Sequence, residues 1–418
     1  MSLIDRDKAV VWHPYTQMKT AAPPLAIVRG QGVYLYTEDG RQLLDGISSW
    51  WVNIHGHSHP RLNQAIADQA KTLEHVIFAG ATHEPAVELA ERLVGILPAG
   101  LAKIFYSDNG STAVEVAIKM AVQYWQNAGR PDRRGIVALH HAYHGDTIGA
   151  MSVSEASVFT QPFAPLLFPV DRVHPPDLES HLNAHGERIA AVIVEPMLQG
   201  ASGMIMWPAE LLARIREACY RHGVLLIADE VLTGFGRTGR LFACEHAAVS
   251  PDICCLSKAI TGGYLPLAAT AATNAIYDAF LSDDRSRTFF HGHSFTANPL
   301  ACAVALASLD LIEESRALER VGRLERQLRD GLSPLASLPN VLDVRVLGGV
   351  GVVELKSDGG YLDRLGPHLY SAFLERGVLL RPLGNVVYFM PPYVITDAEV
   401  DWVIGCISDV VRGLGARG

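Results

Sequence analysis

Short apolar runs recur at residues 103–106, 135–139, 189–194, 224–228 and 253–256, each bounded by turn-forming residues. Runs of this length without polar alternation read as strands buried on both faces of a parallel sheet. Between them the apolar positions fall at helical spacing, as in Val114, Ala117, Ile118, Ala121, Val122 and Trp125. Residues 62–97 read as two amphipathic helices parted near 78–81, and residues 300–314 as an Ala-rich helix. Strands separated by helical stretches predict an open α/β sheet with right-handed crossovers. Ahead of this array, Asp39-Gly40 between apolar runs at 33–36 and 42–44 predicts a hairpin.

A charged, Leu-spaced helix over 316–332 leads into a smaller α/β unit, with strands at 341–346, 350–355 and 378–380 and a helix near 367–376. A chain of 418 residues is too long for one compact core. The expected organisation is an N-terminal segment, 1–48, joining the small domain, then a large domain at 49–315 and a small domain at 316–418.

Composition narrows the class. Hydrophobic residues at 49% and charged ones at 19% fit a chain with a large buried core. A net charge of −9 argues against nucleic acid as a partner. The six cysteines lack metal-ligand spacing and three lie in apolar runs, so free buried thiols in a reducing compartment are expected. No run approaches membrane-spanning length, and the first residues carry charges where a secretory signal needs an apolar core, which predicts no membrane association and a cytoplasmic location. The opening segment holds His13, Pro14 and Tyr15, residues that suit packing against the body of the protein.

Two runs end in charge: 224–228 in Asp229, and 253–256, one serine later, in Lys258. Ligands in doubly wound sheets sit beyond the carboxyl ends of strands, so this acid and this amine are candidates for one pocket. The pair suits pyridoxal phosphate, whose aldehyde a lysine can take up and whose pyridine nitrogen a carboxylate can hold protonated. A buried ion pair is the alternative. The small-residue turn 107–112 opens a helix where Thr112 and Glu115 have capping-box spacing; an ordinary capped helix is the plainer reading, and an anion cradle at its positive end the functional one. Tyr143, after the strand at 135–139, reads as a stacking ring or as packing. Trp50 and Trp51 read as core or pocket wall, and Arg381 as a surface charge or a fork for a carboxylate. His55, His57 and His59 make a poor metal set, since no carboxylate or cysteine completes it. No G-x-G-x-x-G turn supports a dinucleotide.

The segments SDNGSTAVEVAIKMA, HHAYHGDTIGAMS, VIVEP, LIADEVLTGFGRTGRLFACEH, LSKAITGG and HGHSFTANPLAC, in this order, resemble the class III pyridoxal-phosphate aminotransferases. The resemblance covers nearly the whole chain and implies the fold type I architecture, with a mostly parallel central sheet in the large domain. It implies that Lys258 binds the cofactor covalently, that Asp229 partners its ring nitrogen, and that Tyr143 stacks on it, with Tyr15 joining Lys258 and Asp229 in catalysis. Gly110 and Ser111 match the phosphate cup, while His293 and Ser294 match a phosphate contact supplied across a homodimer interface. Tyr15, Trp50, Trp51, Tyr143, Lys258, Gly292 and Arg381 match the substrate pocket, which Arg237 and Glu195 help to shape.

Within the family, WHPYTQM, LLDGISSWWVNIHGHSHP and RPLGNVVYFMPPY resemble the branch that moves the amino group of S-adenosylmethionine to 8-amino-7-oxononanoate in biotin biosynthesis. Leu232 stands where relatives acting on ornithine or 4-aminobutyrate have glutamine, which points away from those substrates. HGHS in place of HGPT leaves lysine open as the donor. A broad diamine or ω-amino-acid transaminase and an aminomutase are the other readings.

Overall fold

The computed structural model describes residues 1–357 and 360–415. Its centre is a seven-stranded sheet in the order Leu101–Ser107, Ala268–Thr273, Ile253–Leu256, Leu225–Asp229, Ile189–Val194, Gly135–Leu139 and Asp171–Val173. Ala268–Thr273 runs antiparallel to both neighbours, and the other pairings are parallel. Every residue of Ile189–Val194 and of Leu225–Asp229 is buried, as an apolar run without alternation requires.

Two strands of this sheet were not anticipated, Asp171–Val173 and Ala268–Thr273. The second reads AATAAT, and alanine favours strands weakly. Tertiary packing decides it: helix Gly110–Asn127 lies so close that Thr270 Oγ1 donates to Ala113 O at 3.0 Å, which leaves room only for small side chains. That helix also corrects the expected cap. Asn109 is the cap residue, its side chain accepting from Thr112 N at 3.0 Å, while Glu115 faces away and accepts from Thr147 Oγ1 and Gly149 N.

The hairpin Tyr34–Thr37 with Gln42–Asp45 forms as expected, and Gln42–Asp45 then pairs in parallel with Val378–Leu379. Val341–Leu347, Val350–Leu355 and Val386–Phe389 make a separate antiparallel sheet. Leu44, Ile47 and Trp51 share one apolar cluster with Leu328, Val352, Phe373 and Phe389. Helix Ala317–Leu332 buries Ala317, Val321, Leu324, Leu328 and Leu332 along one stripe, at about 1.5–3 kcal/mol for each large side chain. The last three residues of the expected small domain lie outside the described residues.

Gly348, in the turn between Val341–Leu347 and Val350–Leu355, has φ +52°, and a Cβ there would lie 2.3 Å from Thr238 C and 2.6 Å from Arg237 O. The obstacle is backbone of the loop that follows Asp229, so it yields only if the two parts separate. Gly348→Ala is therefore expected to cost at least about 2 kcal/mol, read as a lower urea midpoint at unchanged m-value. A wild-type midpoint counts against this close approach.

Candidate active site

Five parallel strands point their carboxyl ends at one cavity of about 680 Å³. Leu101–Ser107 leads to Gly110 and Ser111, Gly135–Leu139 to Tyr143 and His144, Ile189–Val194 to Glu195, Leu225–Asp229 ends in Asp229, and Ile253–Leu256 leads to Lys258; all of these line the cavity. A polar side chain at the end of a fully buried strand has no other direction in which to find space.

Lys258 begins a short 3-10 turn with φ +49°, and its Nζ stands 4.8 Å from the centre of the Trp51 ring. Burial pushes its amine below the ordinary lysine value, while Asp229 and Glu195 pull it back. Asp229 is buried, accepting from Val231 N at 3.1 Å and facing His144 Nδ1 at 2.7 Å. A nitrogen that close to a carboxylate carries the proton, so His144 orients Asp229. His144 Nε2 is buried without a hydrogen-bond partner. Glu195 accepts from Tyr143 N and Gly200 N, at 2.9 and 3.0 Å. Burial raises its carboxyl to about 7; His144 opposes the shift and Asp229 adds to it.

At the opposite wall Gly110 and Ser111 open helix Gly110–Asn127, where first-turn amides have no carbonyl one turn back. A Cβ on Gly110 would lie 2.6 Å from Val231 Cγ1, and one on Gly145 would lie 2.1 Å from Ser111 Oγ. Asp146 N donates to Ser111 Oγ at 3.2 Å. Glycine keeps this cradle narrow and its amides uncovered.

Tyr15, Trp50 and Arg381 are not among the residues lining this cavity; they form a second wall that joins it through Tyr143 and Asp146. The Tyr15 hydroxyl lies 3.1 Å from that of Tyr143 and donates to Asp146 Oδ2. Burial, then Asp146, pushes Tyr15 up to about 12, and burial also raises Tyr143. The Arg381 guanidinium sits 4.4 Å from the centre of the Trp50 ring, and the Trp50 and Tyr15 rings meet edge to face with their centres 5.7 Å apart. Trp50 is 39% exposed, whereas Trp51 is buried and donates from Nε1 to Tyr388 OH at 3.1 Å. Arg237 is buried, donating to Pro391 O and Ser48 Oγ over the Tyr393 ring, and burial lowers its pKa.

Gly292, His293 and Ser294 are not among the residues that line the cavity. Gly292 and Ser294 are exposed, and His293 Nδ1 lies 3.3 Å from Asp108 Oδ2. The three loop histidines divide among structural tasks: His55 bonds Ser308, His57 bonds Asp45, and His59 caps helix Pro60–Ala70. Among the described residues no cluster could hold a metal ion, and no helix is long and apolar enough to cross a membrane. Sequence reasoning missed His144 and Asp146 as site residues; both stand in HHAYHGD at the end of a buried strand, which was the available signal.

Residues 15–411 match the family described as aminotransferase class-III. The chain is 51% identical to the adenosylmethionine-8-amino-7-oxononanoate aminotransferase of Synechococcus elongatus, over 96% of this chain and 98% of that one. The crystal structure of the Methanocaldococcus jannaschii protein of the same name superposes with a TM-score of 0.95 at 38% identity, covering 98% of each chain. An amine transaminase from an uncultivated Pseudomonas species, solved in its PLP-bound form, superposes at 0.90 with 35% identity over 95% of this chain and 97% of that one. The chain is a class III aminotransferase.

Its cofactor is pyridoxal 5'-phosphate, and the cavity suits that group. The glycine-lined helix start offers amides for a phosphate, buried Asp229 offers a carboxylate for a ring nitrogen, and Lys258 supplies an amine whose charge burial disfavours. An ordinary buried ion pair would not need the adjoining cavity.

Glu195 makes stability depend on pH. Its folded pKa of about 7 lies above the ordinary value of 4.5, so between these values the folded protein keeps a proton that the unfolded chain has released. Stability from this group is thus greatest below about pH 4.5, falls as pH rises to about 7 by roughly 3 kcal/mol, and is flat above. Glu195→Gln is expected to remove this component of the slope. Urea midpoints of cofactor-free protein across the window check it, and parallel slopes in the two proteins would contradict the assignment.

Proposed function

We propose that this aminotransferase moves the amino group of S-adenosylmethionine to 8-amino-7-oxononanoate, giving the 7,8-diaminononanoate of biotin biosynthesis. The observation that carries the reading is the wall that meets the Lys258 cavity at Tyr143 and Asp146, where Arg381 lies over Trp50 and Tyr15 meets both Trp50 and those two residues. A guanidinium fork suits a carboxylate, and aromatic faces suit a long, partly apolar body or a sulfonium. Both substrates carry a carboxylate and a long body. The name of the Synechococcus relative supports the same pair.

Bound pyridoxal phosphate supplies an aldehyde that takes up the amino group and a ring that accepts an electron pair. Gly110 and Ser111 would hold its phosphate, with Tyr143 beside its ring and Asp229, oriented by His144, at its nitrogen. Lys258 Nζ would hold the cofactor and, when free, would accept the proton from the donor's amino-bearing carbon and return a proton to the acceptor's carbon. Its lowered pKa serves that work, because a neutral amine accepts a proton and an ammonium does not. Arg381 grips each carboxylate in turn.

We further propose a cytoplasmic homodimer in which Gly292, His293 and Ser294 complete the partner's site. In its support, Gly292 and Ser294 are exposed and flanked by Phe290 and Phe295, which are 74% and 61% exposed, an unusual pairing for a free surface.

Borohydride reduction and peptide mapping are expected to place the cofactor on Lys258, and a label on another lysine overturns the site. In single-turnover measurements of visible absorbance, S-adenosylmethionine is expected to react faster than lysine. Arg381→Ala should lower reactivity with donor and acceptor together, by roughly 10- to 100-fold each, as loss of a charged hydrogen-bonding group does. Reaction with lysine alone makes lysine the donor. A loss confined to one substrate removes the shared fork.

A further inference from the structure

Ser48, Ser49, Trp50 and Trp51 have φ of +48°, +45°, +71° and +76°, so one turn of left-handed helix is built without glycine. Its hydrogen bonds run from Trp51 N to Ile47 O at 2.8 Å and from Val52 N to Ser48 O at 3.0 Å. Side chains with a Cβ disfavour this conformation at every step, so surrounding contacts have to hold it.

Asp45 is the main clamp. Fully buried, it accepts from Ile47 N at 3.3 Å, Ser49 N at 3.0 Å and Ser49 Oγ at 2.7 Å, and its second oxygen also faces His57 Nε2 at 2.9 Å. Asn53 Nδ2 lies 3.1 Å from His57 Nδ1, which makes that nitrogen the acceptor and leaves the Nε2 proton for Asp45. At the start of the turn, Ser48 Oγ donates to Met390 O at 2.8 Å and accepts from Arg237.

The two rings presented by the turn are held differently. Trp51 has a tie of its own, through Nε1 to Tyr388 OH, and its ring faces Lys258 Nζ. Trp50 takes its place from the backbone beneath it and from ring contacts with Arg381 and Tyr15.

We infer that Asp45 is a positioning residue: by clamping the left-handed turn it places the Trp50 ring under Arg381, and so sets how tightly a long, carboxylate-bearing substrate is held. This inference rests on the proposed function. A wall that grips the body of the substrate equally before and during reaction contributes uniform binding, so its loss appears in KM more than in kcat.

The test uses holoenzyme of Asp45→Asn, which keeps the shape but puts an N–H donor where Oδ2 accepts from Ser49 Oγ and faces His57 Nε2. The variant is expected to retain its far-UV circular dichroism and cofactor content, to change its near-UV tryptophan signal, and to raise KM for S-adenosylmethionine roughly 10-fold or more while kcat changes by less than about 3-fold. Glycine adopts the left-handed region at little cost, so adding Ser49→Gly to Asp45→Asn is expected to recover most of both signals. Unchanged KM and near-UV signal in Asp45→Asn overturn the inference. So does a fall in kcat at constant KM, or a general loss of folding that the glycine does not recover. Failure of the wild type to use this donor counts against the substrate assignment alone; the near-UV signal and its recovery by glycine then decide the role of Asp45.

Discussion

An amine and two carboxylates held out of water at the ends of three neighbouring strands are the constraint on which this structure turns. Lys258, Asp229 and Glu195 line one cavity, and burial disfavours the charged form of both Lys258 and Glu195. Such groups persist in a folded protein only where partners offset the loss of water. Here His144 bonds Asp229, two backbone amides bond Glu195, and the acids pull back the pKa of Lys258. A dedicated ion pair would have brought amine and carboxylate into contact. Instead the charges surround space, as a site that must admit a cofactor and a substrate requires.

The C-terminal part of the molecule braces that space from outside. Trp51 reaches from the loop after Gln42–Asp45 to Tyr388 in the C-terminal sheet, and Arg237 reaches from the loop after Asp229 to Pro391. Gly348 allows the backbones to approach within van der Waals contact. The wall of Tyr15, Trp50 and Arg381 is likewise assembled from segments distant in sequence.

The left-handed turn Ser48–Trp51 shows where local preference yields to function. At about 1–2 kcal/mol for each residue, four such residues cost on the order of 4–8 kcal/mol relative to ordinary backbone. The buried carboxylate of Asp45 and the tie from Ser48 to Met390 offset it. An aminomutase acting on one short substrate has little use for such a wall, whereas a transaminase that receives two long substrates in turn does.

Apolar runs at 135–139, 189–194, 224–228 and 253–256 determined the core of the sheet, because a strand buried on both faces can be written in few other ways. They also determined that Asp229 and Lys258 stand at the carboxyl ends of buried strands, since a charge following such a run has to leave the core at its end. The six segments from SDNGSTAVEVAIKMA to HGHSFTANPLAC, taken together and in order, were enough to indicate the family. Only the tertiary structure decided that AATAAT is a strand, that Asn109 rather than Thr112 caps its helix, and that His144 bonds Asp229 across 85 residues of sequence. The reason is physical: propensity and periodicity describe a segment by itself. Whether an alanine run is tolerated between a sheet and a helix, or which histidine meets which acid, depends on what the rest of the chain brings within a few ångströms. Likewise nothing in the letters SSWW announces a left-handed turn; it exists because Asp45, His57, Arg237 and Met390 converge on it.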